Sequence, residues 1–418
     1  SEPKQPTHFE LAREVSPTLA EIAKANKELW ADALLAWVRS ATAEDAEHAV
    51  EEVLARLKQS KASDRDRLIL YLGISREALG FDPLYDVLHD TVDGRELLGH
   101  SGSIPVPSRA AAALAFGAMG DVDAVEDLLK VLREADKRSA ADLKSACVVS
   151  LGILAGSSKP DEREEVLATL REGLGDSRWP IEARAAAPVA LVRIGGQREV
   201  AHMDSLLTSA RMPREVRRSC AQAIGLGAEH LSAQIFESLS TVAERESDAP
   251  LRAFAVMALG EIAARGGFDV TLAGRSRKRL LDAVEHFYVS AIRGSKRAAV
   301  DRPWYLISAG LYAGQFEESR PAIAAQLLRA VTKERAKEAR AAAVVALSLT
   351  QDASASTALL SRLDKAKEVE LRARIVEALG VLGAQETTDQ LLTILRKDGP
   401  ERLRYHAALG LGFLALSL

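Results

Sequence analysis

The sequence predicts an all-α fold, a right-handed α-solenoid of about ten stacked helix-turn-helix units. Three observations predict it. A nine-residue phrase recurs along most of the chain, an amphipathic segment separates successive copies, and runs of alternating β-branched residues are nearly absent. The phrase is a basic residue, a stretch of small apolar residues, and Leu-Gly or its equivalent at the eighth and ninth places. It starts at Arg65, Arg109, Lys144, Arg184, Arg217, Arg252, Arg302, Arg340, Arg372 and Arg404, at offsets of 32 to 50 residues. The copy at Arg302 is the weakest. A period in this range marks a stacked array, and such arrays commonly bind other molecules along a surface.

Each phrase reads as a helix. In the copy from Arg252 to Gly260, Phe254, Ala255, Ala258 and Leu259 fall mostly on one stripe. The frequent Ala permits close approach to neighbouring helices, and the terminal Gly suits tight packing or a helix end. A basic residue at a helix start is unexpected, because helix N-termini favour anions. The recurring cation is therefore read as a structural ladder, pairing with an acid or capping carbonyls of an adjacent repeat; a row of anion-binding groups is the alternative. Between phrases, Val122–Leu132 and Thr387–Leu395 each place their Val and Leu residues on one helical face. One such helix pair cannot bury its apolar stripe alone, so the pairs must stack.

The pattern R-x-x-A-x-x-A-L-G, with an acidic helix after a Gly-Asp or Gly-Ala turn, resembles the HEAT repeat. More specifically it is similar to the bacterial type named after phycobilisome lyases. The resemblance covers roughly residues 63–418. It implies a solenoid and names no single activity, since the family spans scaffolds, adaptors, lyases and nucleic-acid enzymes. On this reading residues 1–15 form a flexible tail, 16–62 a helical cap, and 63–418 the array, with insertions at 89–107, 265–278 and 293–302.

In the cap, Ser16-Pro17 reads as an N-cap with proline at the first helical position, opening a helix through about Val38. Thr42 to Asp45 reads as a capping box for a second helix to about Leu57. Trp30 and Trp37 are read as packing residues of this cap.

Composition supports an extended core: 47% of the 418 residues are hydrophobic, but only 5% are aromatic, so packing relies on Ala, Leu and Val. A net charge of −4 excludes a globally basic chain and leaves room for a local basic patch. Cys147 and Cys220 occupy equivalent places two phrases apart and read as small core residues, too distant for a disulfide. They do not fix a compartment. No run of about 18 apolar residues is present. The chain starts at Ser1 without Met, which fits either Met removal in a bacterial cytoplasm or cleavage of an export signal.

The insertions carry the candidate binding residues. Residues 89–107 read as the longest non-helical stretch and hold His89, Asp90, Asp93, Glu96 and His100. Imidazole and carboxylate suit a metal, yet no compact ligand spacing occurs, and the loop is read as partner-binding or packing. Gly99-His-Ser-Gly lacks both the fifth residue and the preceding strand of a nucleophile elbow. Residues 265–278 and 293–302 bring Arg275, Arg277, Lys278, Arg279, Arg293, Lys296, Arg297 and Arg302 to the ends of one helix. If these ends cluster, they form a contact for an anion; a solvated surface balanced by Asp301, Glu317 and Glu318 is the alternative. Trp304, Tyr305, Tyr312 and Phe316 lie alongside as core, with one exposed ring as a candidate interface anchor.

Catalytic patterns are missing: there is no P-loop, no dinucleotide fingerprint, no C-x-x-C and no His-Glu dipeptide. No cofactor is expected. The last helix ends on Phe413, Leu414, Leu416 and Leu418, an apolar end that a partner, a second copy or a following segment would cover. The sequence reading is thus a non-enzymatic protein–protein interaction scaffold or assembly subunit. It binds through a concave face joined by the 89–107 loop and the later insertions. The alternatives are an enzyme of bilin-lyase or DNA-glycosylase type, and a binder of nucleic acid or another polyanion through residues 275–302.

Overall fold

The computed structural model describes residues 8–26, 28–41, 43–135, 140–269, 272–294, 300–352, 354–396 and 400–416. Among these the regular elements are helices, and the one extended pairing is an isolated parallel bridge between Leu231 and Phe268. The chain divides into two compact units, Ser1–Gly196 and Gln197–Leu418. The first contains α1 (His8–Ala25), α2 (Trp30–Ser40), α3 (Ala43–Leu57), α4 (Ala62–Ser75), α5 (Phe81–His89), α6 (Val92–Leu97), α7 (Val106–Met119), α8 (Ala124–Glu134), α9 (Ala141–Leu154), α10 (Pro160–Gly175) and α11 (Ile181–Gly195). The second contains α12 (Gln197–Thr208), α13 (Arg214–Gly227), α14 (Ala233–Arg245), α15 (Ala249–Gly266), α16 (Gly274–Arg293), α17 (Arg302–Gln315), α18 (Arg320–Lys333), α19 (Lys337–Leu349), α20 (Ser354–Lys365), α21 (Val369–Val381), α22 (Thr388–Arg396) and α23 (Glu401–Leu416).

The recurring phrase lies on α4, α7, α9 and α11 in the first unit, and on α13, α15, α17, α19, α21 and α23 in the second. Within each unit these helices pack on one another in succession and form one layer. The intervening helices form a second layer: α8 packs on α9, α10 on α11, α12 on α13, α14 on α15, α18 on α19 and α22 on α23. This is α-solenoid packing, each pair burying its stripe against the next.

The phrase explains the packing place by place. The fourth place is buried in every copy, whether it is Leu68, Cys147, Tyr305 or Ile375. The eighth is buried in all copies but the last. The seventh is Ala, Ser or Gly from the second copy onward, and it meets the ninth place of the copy before wherever that place is Gly. A Cβ on Gly152 would lie 2.7 Å from the Cβ of Ala190, and one on Gly260 would lie 2.6 Å from Ser308 Oγ. Gly73, Gly310 and Gly380 abut the backbone of Ala115, Ala346 and Gly410 in the same way. The backbones therefore approach more closely than any side chain would allow. Where the seventh place is Ser, its hydroxyl donates back to the preceding phrase helix: Ser150 to the Ala113 carbonyl at 2.7 Å, Ser308 to that of Val256 at 2.5 Å. Gly412, ninth in the last copy, has nothing within 4 Å of such a Cβ.

The N-terminal elements differ from the sequence reading. The first helix begins at His8, so residues 8–15 are helical and Pro17 sits inside α1. In sequence the apolar spacing of Phe9, Ala12 and Val15 continues upstream of the proline, and the helix runs through it. Ser16 caps nothing; its hydroxyl is buried without a partner among the described residues. The helix also stops short of Val38. Asn26 Oδ1 accepts the amides of Glu28 and Leu29, both at 2.8 Å, and breaks it ahead of α2. Thr42 lies outside the described residues. Trp37 is buried, and the Arg56 guanidinium covers the ring of Trp30 at 5.0 Å. Residues 89–107 are also partly helical, because Thr91 caps the short α6 by accepting the amide of Gly94 at 3.1 Å.

The glycine register gives a paired prediction. Gly152→Ala is expected to destabilise the protein by about 1–3 kcal/mol through overpacking. Gly412→Ala, in open space within a helix, is expected to be neutral or stabilising by up to about 1 kcal/mol. Thermal and urea unfolding of the two variants check this. Equal effects would show that the ninth place does not set the helix spacing.

Candidate functional site

The cations at the helix starts serve the far end of another helix. Arg109 Nε donates to the Leu88 carbonyl at 2.8 Å, Lys144 Nζ to that of Leu132 at 2.6 Å, Arg184 Nε to that of Leu174 at 3.1 Å, and Arg217 Nε to that of Leu207 at 2.8 Å. These acceptors are the last turns of α5, α8, α10 and α12, where unpaired carbonyls and the helix dipole both favour a cation. In the second unit the same side chains also take an acid placed ahead of the next phrase. Arg217 pairs with Glu246 at 2.6 Å, Arg252 with Asp301 at 2.7 Å, Arg302 with Glu334, and Arg340 with Glu368 at 2.7 Å. Arg65 donates to the Ser60 carbonyl and to His100. The last two copies are weaker: Arg372 Nε is buried without a partner among the described residues, and Arg404 is exposed.

The 89–107 segment is organised around a residue that the sequence reading did not single out as its centre. Asp90 takes a left-handed backbone conformation, φ 56°, and receives both Nε and Nη2 of Arg95 at 2.8 and 2.9 Å. It also accepts the Ile104 amide at 2.7 Å. These donors, Arg95 foremost, hold its carboxyl down to about 2. His89 is turned away to Asp127 of α8 at 3.0 Å, while His100 Nε2 accepts from Arg65 at 2.8 Å. Asp93 and Glu96 are exposed. The two imidazoles and two carboxylates do not converge, and no group of three or more potential metal ligands occurs among the described residues.

The basic residues do not form one patch. Helix α16 has 20 residues and is about 30 Å long, so Arg279 and Arg293 lie about 21 Å apart along it. The sequence reading placed both ends together because it could not tell an insertion from added helical turns. Arg275, Lys278 and Arg279 are exposed on the first turns. Arg277 pairs with Glu318 at 2.9 Å and lies over the Phe268 ring. At the other end Arg302 is committed to the carbonyls of Ala291, Ile292 and Gly294. Lys296 and Arg297 lie outside the described residues.

Trp304 is the sequence-singled residue around which a site forms. It is 43% exposed, whereas Tyr305, Tyr312 and Phe316 are buried behind it. The Tyr305 hydroxyl donates to the Ala243 carbonyl at 2.6 Å, and that of Tyr288 meets Ser308 at 2.7 Å, so the wall beneath Trp304 is fixed. Trp304 closes one side of an apolar groove of about 430 Å³ across α13, α15 and α17. Leu226, Phe254, Met257 and Val300 line it, and Gln222, Glu261 and the Arg252-paired Asp301 are its polar side chains. Glu261 stands at the rim against Gly225, whose missing side chain leaves room for the carboxylate. Burial pushes its carboxyl above the usual range, and Arg265 opposes this only in part. The Arg265 guanidinium is spent on the carbonyls of Gly225 and Ala228.

These lining residues have a simple address. Phe254, Met257 and Glu261 are the third, sixth and tenth places of their phrase; Gln222 and Leu226 are the sixth and tenth of the previous one; Trp304 is the third of the next. Large aromatics occupy the third place in these two adjacent copies alone, and Glu261 is the one acid at the tenth. Aligning the copies by place was the signal that reading each phrase separately missed.

Residues 108–134 match the family model of the PBS lyase HEAT-like repeat. The matched stretch holds the second copy of the phrase, which recurs along the chain from Arg65 to Gly412. Among solved structures, importin beta is similar over 98% of this chain and 64% of its own, at 13% identity and a TM-score of 0.52. Human deoxyhypusine hydroxylase in complex with glycerol is similar over 82% of this chain and 97% of its own, at 18% identity and a TM-score of 0.30. At 13% identity the likeness to importin beta is one of fold. No curated protein matches the sequence.

Two predictions follow from this geometry. Arg252→Met strands Asp301, whose side chain is 6% exposed, and is expected to cost about 3 kcal/mol, part of which returns when Asp301→Asn is added; urea unfolding of the cycle measures it. Because Asp90 titrates lower in the folded state, its contribution is complete above about pH 4 and is lost as pH falls towards 2. Asp90→Asn should therefore flatten the fall in melting temperature over that window, and an unchanged slope would contradict the assignment.

Proposed function

We propose that the protein is a non-enzymatic interaction scaffold, and that it takes an apolar segment of a partner protein in the groove across α13, α15 and α17. The observation that carries this is the exposure of Phe254 and Trp304 side by side on a rigid aromatic wall, in a chain with 5% aromatic residues. Apolar grooves with a few placed polar groups are common ligand sites, and buried aromatic anchors dominate binding energy at protein interfaces. Glu261 supplies the polar element. It is exposed on the groove and its carboxylate has no hydrogen-bond partner among the described residues, so it is free to meet a Lys or Arg of the bound segment. The pairing of His89 with Asp127 and of His100 with Arg65 supports a packing role for these two, while Asp93 and Glu96 are exposed. Arg275–Arg279 and Arg293 stand at opposite ends of α16, which favours a protein partner over one continuous basic contact along residues 275–302.

No helix among the described residues is long and apolar enough to cross a membrane. On α23 Phe413 and Leu416 are exposed, an apolar surface that a partner, another copy or a following segment would cover.

The test is capture of binding proteins from the native source with nuclease present, followed by affinity measurement of the partner so identified. Trp304→Ala and Phe254→Ala should each weaken binding by about 30-fold or more while leaving the melting temperature nearly unchanged. Binding should also weaken as pH falls, starting at a higher pH than an ordinary glutamate would give, and Glu261→Gln should remove that dependence. Full affinity in both aromatic variants would overturn the proposal.

A further inference from the structure

We propose that a second site, distinct from the apolar groove, binds a small anion carrying two or more phosphoryl groups, at the junction of the C-terminal ends of α16 and α18. A cavity of about 540 Å³ opens there, a size suited to a small molecule. Five cations line it: Arg293, Arg302, Arg329, Lys333 and Arg335. The acid among the lining residues is Glu334, and Arg302 takes it.

The cations exceed what the helix ends require. Two C-termini converge on this cavity, and their dipoles favour some positive charge. That need is already met by residues of the ladder. Arg302 binds the carbonyls of Ala291, Ile292 and Gly294 at the end of α16, and Arg340 binds those of Glu334 and Arg335 after α18. Arg293, Arg329, Lys333 and Arg335 have no side-chain hydrogen bond or ion pair among the described residues. Arg329 and Lys333 stand four residues apart on α18, a like-charge spacing that opposes the helix. Four uncompensated cations around one cavity call for an anion with several charged oxygens. Arginine favours phosphoryl oxygens by its paired donors.

The cavity differs from the basic cluster predicted from the sequence. Arg329, Lys333 and Arg335 lie outside the insertions, and they meet Arg293 only because α16 is long enough to bring its C-terminus beside α18.

The experiment uses the full chain at about 0.15 M salt, the physiological range. Inorganic pyrophosphate and inositol hexakisphosphate are titrated by calorimetry and by thermal shift, with sulfate as control. Saturable binding at one site per chain, with a rise in melting temperature, is expected. The double variant Arg329→Gln with Lys333→Gln changes exposed side chains, so the fold should persist. It should weaken binding at least tenfold. The pair Arg275→Gln with Arg279→Gln, at the other end of α16, should leave binding unchanged. Equal loss in both variants would assign the effect to diffuse charge and overturn the proposal. So would the absence of saturable binding, or binding to a single-stranded oligonucleotide without binding to either small probe.

Discussion

The structure depends on how closely consecutive phrase helices approach. Glycine at the ninth place and Ala, Ser or Gly at the seventh bring backbone against backbone, with no side chain between. This contact fixes the rotation of each phrase helix, and the rotation decides what every other place does. The fourth and eighth places turn inward and are filled by whatever apolar residue fits, from Ala to Tyr. The sixth and tenth are left half-buried or exposed, and the third is exposed at Arg67, Phe254 and Trp304 though buried at Ala111, Ala146, Ala342 and His406. A repeat of small residues thus frees a regular set of positions whose identity the packing does not constrain, and there the chain can carry specificity.

The first-place cation resolves an apparent conflict with helix electrostatics. Viewed along its own helix it stands at the wrong end. Viewed in the stack it closes the C-terminus of the helix before it, and in the second unit it also holds an acid at the threshold of the next repeat. One side chain therefore joins three elements. The Arg252–Asp301 pair shows the scale of this dependence, since Asp301 is nearly fully enclosed and also stands at the start of α17, which bears Trp304. The geometry of the groove is thus tied to the same interaction that stacks the repeats.

Much of the fold was legible because it is periodic. The spacing of Arg and Gly located each phrase helix, and the small-residue runs foretold close packing. The departures arose where local signals competed with longer ones. Ser16-Pro17 has the chemistry of a helix start, but the apolar spacing continues upstream of it and the helix runs through. Asn26 ends that helix by side-chain hydrogen bonds that no periodicity reveals. The site was half legible. Trp304 stood out as an aromatic residue beside an insertion, yet its partners Phe254, Met257 and Glu261 became visible only when the copies were aligned by place. The cavity at the end of α16 was not legible, because it joins residues of α16 and α18 whose proximity depends on the length of the helix between 274 and 293.

The central claim is that the outward places of α13, α15 and α17 form the docking surface. The most direct measurement places a photo-cross-linking residue at position 257, inside the groove, and irradiates the protein in its native extract. One discrete protein adduct is expected, absent when Trp304→Ala is added and absent when the reporter stands at position 279 instead. The same adducts at both positions, or an adduct indifferent to Trp304, would contradict it.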